Sequence, residues 1–154
     1  MEYASIEREL HIDASPEVVF DVISSAEHLK QWWPDDAHFE TAPGSTGELV
    51  FGDKADPDAH ITAFTVLEVD APRKFVFRWT NPVGEVAEVS NSLLVTFEVS
   101  PAESGSTVRM TETGFREQGW EIAVLEHEYN QHVHGWSVFL PRIAPYAESL
   151  SATR

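Results

Sequence analysis

The sequence contains no cysteine and few basic residues. Without cysteine, the chain can form neither disulfide bonds nor catalytic thiolates. Ten Lys and Arg residues stand against 26 Asp and Glu residues, which gives a formal net charge of −16 at pH 7. Such a charge repels nucleic acids and anionic membranes, so neither is expected as a partner. The simplest interpretation of the charge is solubility.

Long apolar runs are also missing. No segment has the roughly 20 consecutive apolar residues that cross a bilayer, and the N-terminus lacks a basic stretch followed by an apolar one. We therefore expect no membrane insertion and a cytoplasmic location. The sequence also lacks a G-x-S-x-G motif and a phosphate-binding glycine loop. With no repeat or linker, the 154 residues predict one domain, 1–154.

The residues that are present predict an α+β order of elements. Residues 3–13 alternate between apolar and polar side chains, which predicts a half-buried strand. Arg8 shares the parity of the apolar residues, so its side chain either points inward or reaches water from an edge. Ser15, followed by a proline, is typical of a helix start. A second short helix over residues 26–33 ends before Pro34.

The middle of the chain predicts about six antiparallel strands. The clearest feature is a hairpin of residues 60–70 and 73–80, in which alternate large side chains share one face. Glu112 has the inward parity of the last strand, and it lies either in a pocket or at a frayed strand end, the second interpretation being preferred. The other predicted strands are residues 38–41, 48–51, 91–100 and 107–114.

Residues 120–150 predict one long helix that covers the sheet. Pro141 and Pro145 fall inside the pattern, so a kink or a break is expected near residues 140–145. The apolar stripe of this helix recurs at spacings of three and four residues: Leu125, Tyr129, Val133, Trp136, Leu140 and Ile143.

Two further groups of residues suggest a site. Trp32 and Trp33 are adjacent on a helix and should face different ways. Either one lies in the core and the other at a pocket rim, or both only fill the seam between helices and sheet. His127 and His132 are roughly 140° apart around the long helix, which is not the zincin spacing. His127 and His134 share a face but are too few for zinc, so no metal or cofactor is predicted. His132 is a candidate hydrogen-bonding or acid–base group in a cavity.

Four segments carry a family resemblance: I-D-A-S-P-E-V-V-F-D-V-I-S at 12–24, E-H-L-K-Q-W-W-P at 27–34, F-V-F-R-W at 75–79 and H-G-W-S-V-F-L-P-R-I at 134–143. With the order of elements, they resemble the START/Bet v 1-like (SRPBCC) superfamily. The group most similar is related to the C-terminal domain of the activator of the heat-shock protein 90 ATPase. The resemblance implies a helix-grip fold, a curved antiparallel sheet wrapped around a long C-terminal helix over a hydrophobic cavity.

The resemblance implies function less directly. Members of the superfamily bind lipids, sterols or polyketide-like molecules, and some are cyclases or hydrolases. This chain departs from the group near the expected pocket mouth: Pro34 follows Trp33 directly, without the common glycine between them, and residues 42–48 lack the usual basic residue and paired glycines. Substrate specificity is therefore not carried over from the group.

These observations leave more than one function open. The favoured hypothesis is binding of a small hydrophobic molecule, because the inward positions are nearly all apolar. In the alternative, the same cavity belongs to a cyclase or hydrolase in which His132 or Glu112 is the general acid or base. A third hypothesis, a chaperone-interacting domain, would show a filled core and an exposed apolar patch. The expected cavity lining is Trp33, Phe51, Phe77, Trp79, Phe97, Met110, Glu112, Tyr129, His132, Trp136 and Phe139.

Overall fold

The computed structural model describes residues 2–53 and 55–152, and within them the elements follow the α+β order predicted from the sequence. One strand is followed by two short helices, a run of strands and a C-terminal helical segment. The elements are β1 (Ser5–Ile12), α1 (Pro16–Ser24), α2 (Ala26–Trp32), β2 (Asp36–His38), β3 (Thr46–Phe51), β4 (His60–Asp70), β5 (Lys74–Trp79), β6 (Leu93–Pro101), β7 (Ser106–Thr113), α3 (Ile122–Phe139) and α4 (Ile143–Ala152).

The strands form one curved antiparallel sheet in the order β1-β7-β6-β5-β4-β3-β2. Its inner face carries the core, because alternate residues of the central strands point to the same side. Phe75 and Phe77 on β5 and Phe97 on β6 are fully buried there. This arrangement, with the helices packed on the inner face, confirms the predicted helix-grip fold.

The structure shows the direction of the Arg8 side chain and the position of β2. Arg8 on β1 is exposed and donates to the backbone carbonyl of Glu7 at 2.7 Å, so it reaches water instead of the core. The prediction of a strand at residues 38–41 was wrong in position, because β2 pairs residues 36–38 with residues 48–50 of β3.

The C-terminal helix is interrupted where the prolines predicted a break. α3 ends at Phe139, a 3₁₀ turn covers Leu140–Arg142, and α4 then continues to Ala152. Pro141 lies in that turn and lacks the backbone N–H that a continuous helix would use. Of the predicted stripe, Leu125, Trp136, Leu140 and Ile143 are buried, and Tyr129 and Val133 are partly buried.

α4 is tied to the first part of the chain by polar contacts as well as by packing against α1 and β1. The Tyr146 hydroxyl and Nδ1 of His28 are 2.6 Å apart, and Glu148 accepts from the backbone N–H of Asp13 at 3.0 Å. In the part of the chain that the structure describes, no helix has the length and apolar character needed to cross a bilayer.

A substitution at Gly47 tests how closely β3 approaches the backbone of β2. A Cβ at this position would overlap the backbone carbonyl oxygen of His38, whereas a Cβ at Gly135 on α3 would meet nothing within 4 Å. We expect Gly47→Ala to lower the free energy of unfolding by about 1–3 kcal/mol, as for other overpacked sites. Gly135→Ala, the control, should raise it by about 0.5–1 kcal/mol. Equal values from chemical denaturation would contradict this packing.

Candidate functional site

The carboxylate of Glu112 is buried on the inner face of the sheet. Its strand, β7, is flanked on both sides, with Ile6 of β1 and Val95 of β6 as its register partners. The side chain is 0% exposed, so the preferred interpretation of a frayed strand end was wrong. The position is interior because β7 lies between β1 and β6. The pairing of β1 with β7 cannot be recognised from the local alternation of the sequence.

Three N–H groups converge on this carboxylate. Trp79 Nε1 donates to Oε2 at 2.8 Å, and Trp136 Nε1 donates to Oε1 at 2.8 Å. His132 Nδ1 lies 2.9 Å from Oε1. An indole nitrogen can only donate, so both carboxylate oxygens act as acceptors. We therefore assign His132 Nδ1 as a donor, which makes the cluster a buried carboxylate that accepts three hydrogen bonds.

The second ring nitrogen of His132 has a different environment. Among the described residues, Nε2 has no hydrogen-bond partner, and it is not one of the enclosed unpaired atoms. The side chain is 15% exposed. Its ring packs edge-on against Trp79 and Phe115, with centroid distances of 5.3 and 5.4 Å. The imidazole is therefore held between aromatic rings. Its Nδ1 is hydrogen-bonded to Glu112, and its Nε2 is accessible from outside the cluster.

The same contacts shift the protonation equilibrium of His132. Burial alone would lower its pKa, but the hydrogen bond and charge of Glu112, helped by the charge of Glu128, outweigh burial. The pKa of His132 is consequently raised above its usual value. This favours the imidazolium, which donates from both nitrogens.

His132 opens into a pocket of about 410 Å³ between α3 and the inner face of the sheet. This size lies in the range of small-molecule sites, roughly 300–1,000 Å³. Six of the residues expected from the sequence lie in its lining: Trp33, Phe51, Trp79, His132, Trp136 and Phe139. The lining also includes residues that the sequence analysis did not single out: His60, Thr62, Thr80, Glu128, Gln131 and Gly135.

Some of these additional residues had a sequence signal. Glu128 lies four residues before His132 and Gly135 three residues after it, and Gln131 lies three residues after Glu128 and four before Gly135, spacings that share one helix face. Their spacing relative to His132 is therefore a sequence signal for their place in the lining. His60 and Thr62 belong to a strand whose depth in the sheet follows only from the tertiary arrangement.

The other expected lining residues lie elsewhere. Phe77, Phe97 and Met110 are fully buried beneath the pocket and contribute to the core. Glu112 lies behind the ring of His132, outside the lining. Tyr129 points to another side of α3, where its hydroxyl donates to the carbonyl of Ser5 at 2.7 Å. Inward parity identifies the correct face but not the depth below the opening.

The tandem tryptophans follow the expectation of one ring in the core and one at the pocket, but the two rings stack instead of facing apart. Trp33 leaves helical geometry, with φ −123° and ψ −92°, so its ring stacks on Trp32 at a centroid distance of 5.7 Å. Trp32 is buried in the core, and its indole N–H donates to the carbonyl of Val22 at 2.9 Å. Trp33 reaches the pocket, where it contacts Trp79 and Trp136 with centroid distances of 4.9 and 5.0 Å.

The described residues offer no group of three or more His, Cys, Asp or Glu side chains placed to hold a metal ion. His127 and His134 are both exposed on α3. A larger groove of about 640 Å³ lies by the 81–87 loop, lined in part by the exposed Val83 and Val86. None of the described residues in its lining is a buried titratable group, so the pocket at His132 is the better candidate site.

The sheet, the broken C-terminal helix and the pocket between them define a helix-grip protein of the START/Bet v 1-like class. The family model described as Activator of Hsp90 ATPase homolog 1-like protein matches residues 13–148, and the chain belongs to this family. No curated protein sequence matches significantly.

Solved structures share the fold at low sequence identity. Protein NE0264 from Nitrosomonas europaea has a TM-score of 0.76 at 16% identity, covering 99% of each chain. The Aha1 dimer from Colwellia psychrerythraea has a TM-score of 0.64 at 21% identity, covering 91% of this chain and 92% of that chain. DynU16, from the dynemicin biosynthetic locus, has a TM-score of 0.68 at 19% identity, covering 98% of this chain and 49% of that chain.

Titration of His132 tests the Glu112 contact. Because the folded pKa is raised, the contribution of this histidine to the free energy of unfolding is complete below the unfolded value of about 6.5. That contribution is lost as the pH rises through the folded pKa. We expect an NMR titration of the imidazole to give a pKa above 6.5, and Glu112→Gln to lower it. An unchanged value in Glu112→Gln would contradict the assignment.

Trp136 tests the packing of α3 on the sheet. Its side chain is 2% exposed and donates to Glu112, so Trp136→Ala creates a cavity and removes one donor. We expect a loss of about 3–5 kcal/mol in the free energy of unfolding. Val138→Ala on the exposed side of the same helix is the control and should change it by less than about 0.5 kcal/mol. A loss below about 1 kcal/mol for Trp136→Ala would place the indole outside the core.

Proposed function

We propose that this protein binds a small hydrophobic molecule, such as a lipid, a polyketide-like or an aromatic compound, in the pocket at His132. The observation that carries the proposal is the lining itself. Its walls are the aromatic rings of Trp33, Phe51, Trp79, Trp136 and Phe139, and one polar nitrogen, Nε2 of His132, opens among them. Ligand sites combine apolar walls with a few placed polar groups in this way.

An enzyme using the same pocket is the second candidate. A carboxylate that orients an imidazole and leaves its other nitrogen toward the substrate is the arrangement of a general base with its positioning group. However, Glu112 is enclosed and cannot reach a ligand, so His132 is the one member of the pair that opens into the pocket. Among the described residues, the other titratable side chains of the lining, Glu128 and His60, form no hydrogen bond with His132, so no catalytic pair is in place, and this favours binding.

A chaperone-interacting domain remains the third candidate. It is supported by the family description and by the exposed valines of the 81–89 loop, Val83, Val86 and Val89. The open pocket beside His132 argues against the filled core that this hypothesis requires. The expected cytoplasmic location and the absence of a nucleic-acid partner stay predictions.

Native mass spectrometry of the purified protein, followed by denaturing extraction, tests whether a small molecule copurifies. Binding is measured in parallel with the neutral fluorophore N-phenyl-1-naphthylamine. Gly135→Leu should block the pocket, because Gly135 lines it and a Cβ there meets open space. We expect probe binding to fall at least about tenfold in this variant. Ser137→Leu, exposed on the same helix and outside the lining, should bind as the wild type does.

Equal binding by Gly135→Leu and the wild type would show that the probe sits elsewhere. Absence of both a copurifying molecule and probe binding would count against the proposal and would favour the interaction domain.

A further inference from the structure

The imidazole of His132, which lies in the pocket lining, is fixed in orientation. Nδ1 of His132 is committed to Glu112, and both carboxylate oxygens already accept from indole N–H groups. A ring flip would break the contact with a buried charge, which is strongly unfavourable. Nε2 is therefore presented to the pocket in one position. Because Nδ1 lies 2.9 Å from the fully enclosed carboxylate of Glu112, we assign the imidazolium form, in which the ring compensates a buried charge and Nε2 carries the second proton. The raised pKa of His132 agrees with this assignment.

His132 is the polar side chain of the lining that is held in place by a buried carboxylate. The Thr62 hydroxyl already accepts from the backbone N–H of Thr80 at 3.0 Å and lies 3.5 Å from the carbonyl of Ala63. Gln131 and His60 are exposed and can pair with water. A ligand atom that enters between the aromatic walls therefore meets the N–H of His132, whereas the N–H groups of Gln131 and His60 lie on exposed side chains.

The charges around the pocket argue against an anionic ligand. Glu128 lines the pocket, Glu112 lies directly behind the imidazole, and the described lining includes no Lys or Arg. Two carboxylates against one imidazolium leave a negative balance. Arg142 lies over the ring of Phe139 at 5.0 Å but is exposed and outside the lining. In a partly enclosed site, such charges disfavour a carboxylate or phosphate.

We propose that the pocket selects neutral apolar molecules that carry an accepting oxygen, such as a ketone, ester or amide carbonyl, which accepts a hydrogen bond from Nε2 of His132. Glu112 is the positioning residue for this donor, and Glu128 disfavours fatty acids and other anions. The inference rests on the proposed function and deepens it, because it names the chemical class of the ligand.

Three probes of one shape test the selection by isothermal titration calorimetry. 2-Acetylnaphthalene supplies a neutral carbonyl, 2-isopropenylnaphthalene is its hydrocarbon isostere, and 2-naphthoate is the anion. We expect the ketone to bind about ten- to a hundredfold more tightly than the hydrocarbon, the range for a hydrogen bond to a charged donor. The naphthoate should bind more weakly than the ketone.

Variants on α3 assign the effect to Nε2. In His132→Asn, the amide nitrogen can take the place of Nδ1 toward Glu112, while no group replaces Nε2. This variant should bind the ketone and the hydrocarbon equally. His127→Asn is the matched control on the exposed face and should keep the wild-type preference. The imidazole ¹⁵Nε2 resonance of the wild type should move with the ketone and not with the hydrocarbon.

The outcomes separate this inference from the proposed function. Equal affinities of the wild type for ketone and hydrocarbon, or a preference for naphthoate, would overturn the carbonyl selection and leave hydrophobic binding intact. A ketone preference that persists in His132→Asn would overturn the role of Nε2. Failure of all three probes to bind would count against the proposed function as well.

Discussion

The buried carboxylate of Glu112 is the contact on which the arrangement of sheet and helix depends. It joins β7 to β5 through Trp79 and joins the sheet to α3 through Trp136 and His132. An enclosed charge is strongly unfavourable unless hydrogen bonds compensate it, so the loss of any of the three donors weakens the whole arrangement. The register of β5 and the rotation of α3 are thereby coupled. The pocket lies immediately beside this cluster and takes its shape from the same rings.

Much of the fold could be predicted from local patterns. Alternation in the central strands, the cap at Ser15 and the break around Pro141 all depend on neighbours in sequence, and the structure agrees with them. The position of β2 was misplaced because edge pairing depends on a partner strand. The stacking of Trp33 on Trp32 was missed because the helix ends before Trp33.

The site was less predictable, for a geometric reason. Parity along a strand tells which face a residue occupies, and it placed Phe77 and Phe97 correctly on the inner face. The depth of a residue below the pocket opening depends on where the helices cover that face. The helix positions are set by contacts between residues far apart in sequence. Glu112 had the right parity, but its partners Trp79 and Trp136 are 33 and 24 residues away. No local pattern could show that three donors would meet it.

The 3₁₀ turn at Leu140–Arg142 separates the C-terminal helical segment into two helices with different contacts. α4 is anchored to the N-terminal half of the chain through Tyr146 and Glu148, whereas the helical residues of the pocket lie on α3. Gly135 and Gln131 therefore form a surface whose composition can diverge between relatives while the anchor keeps the scaffold intact. A domain built this way is suited to acquiring new ligands through a few changes on one helix, without a new architecture.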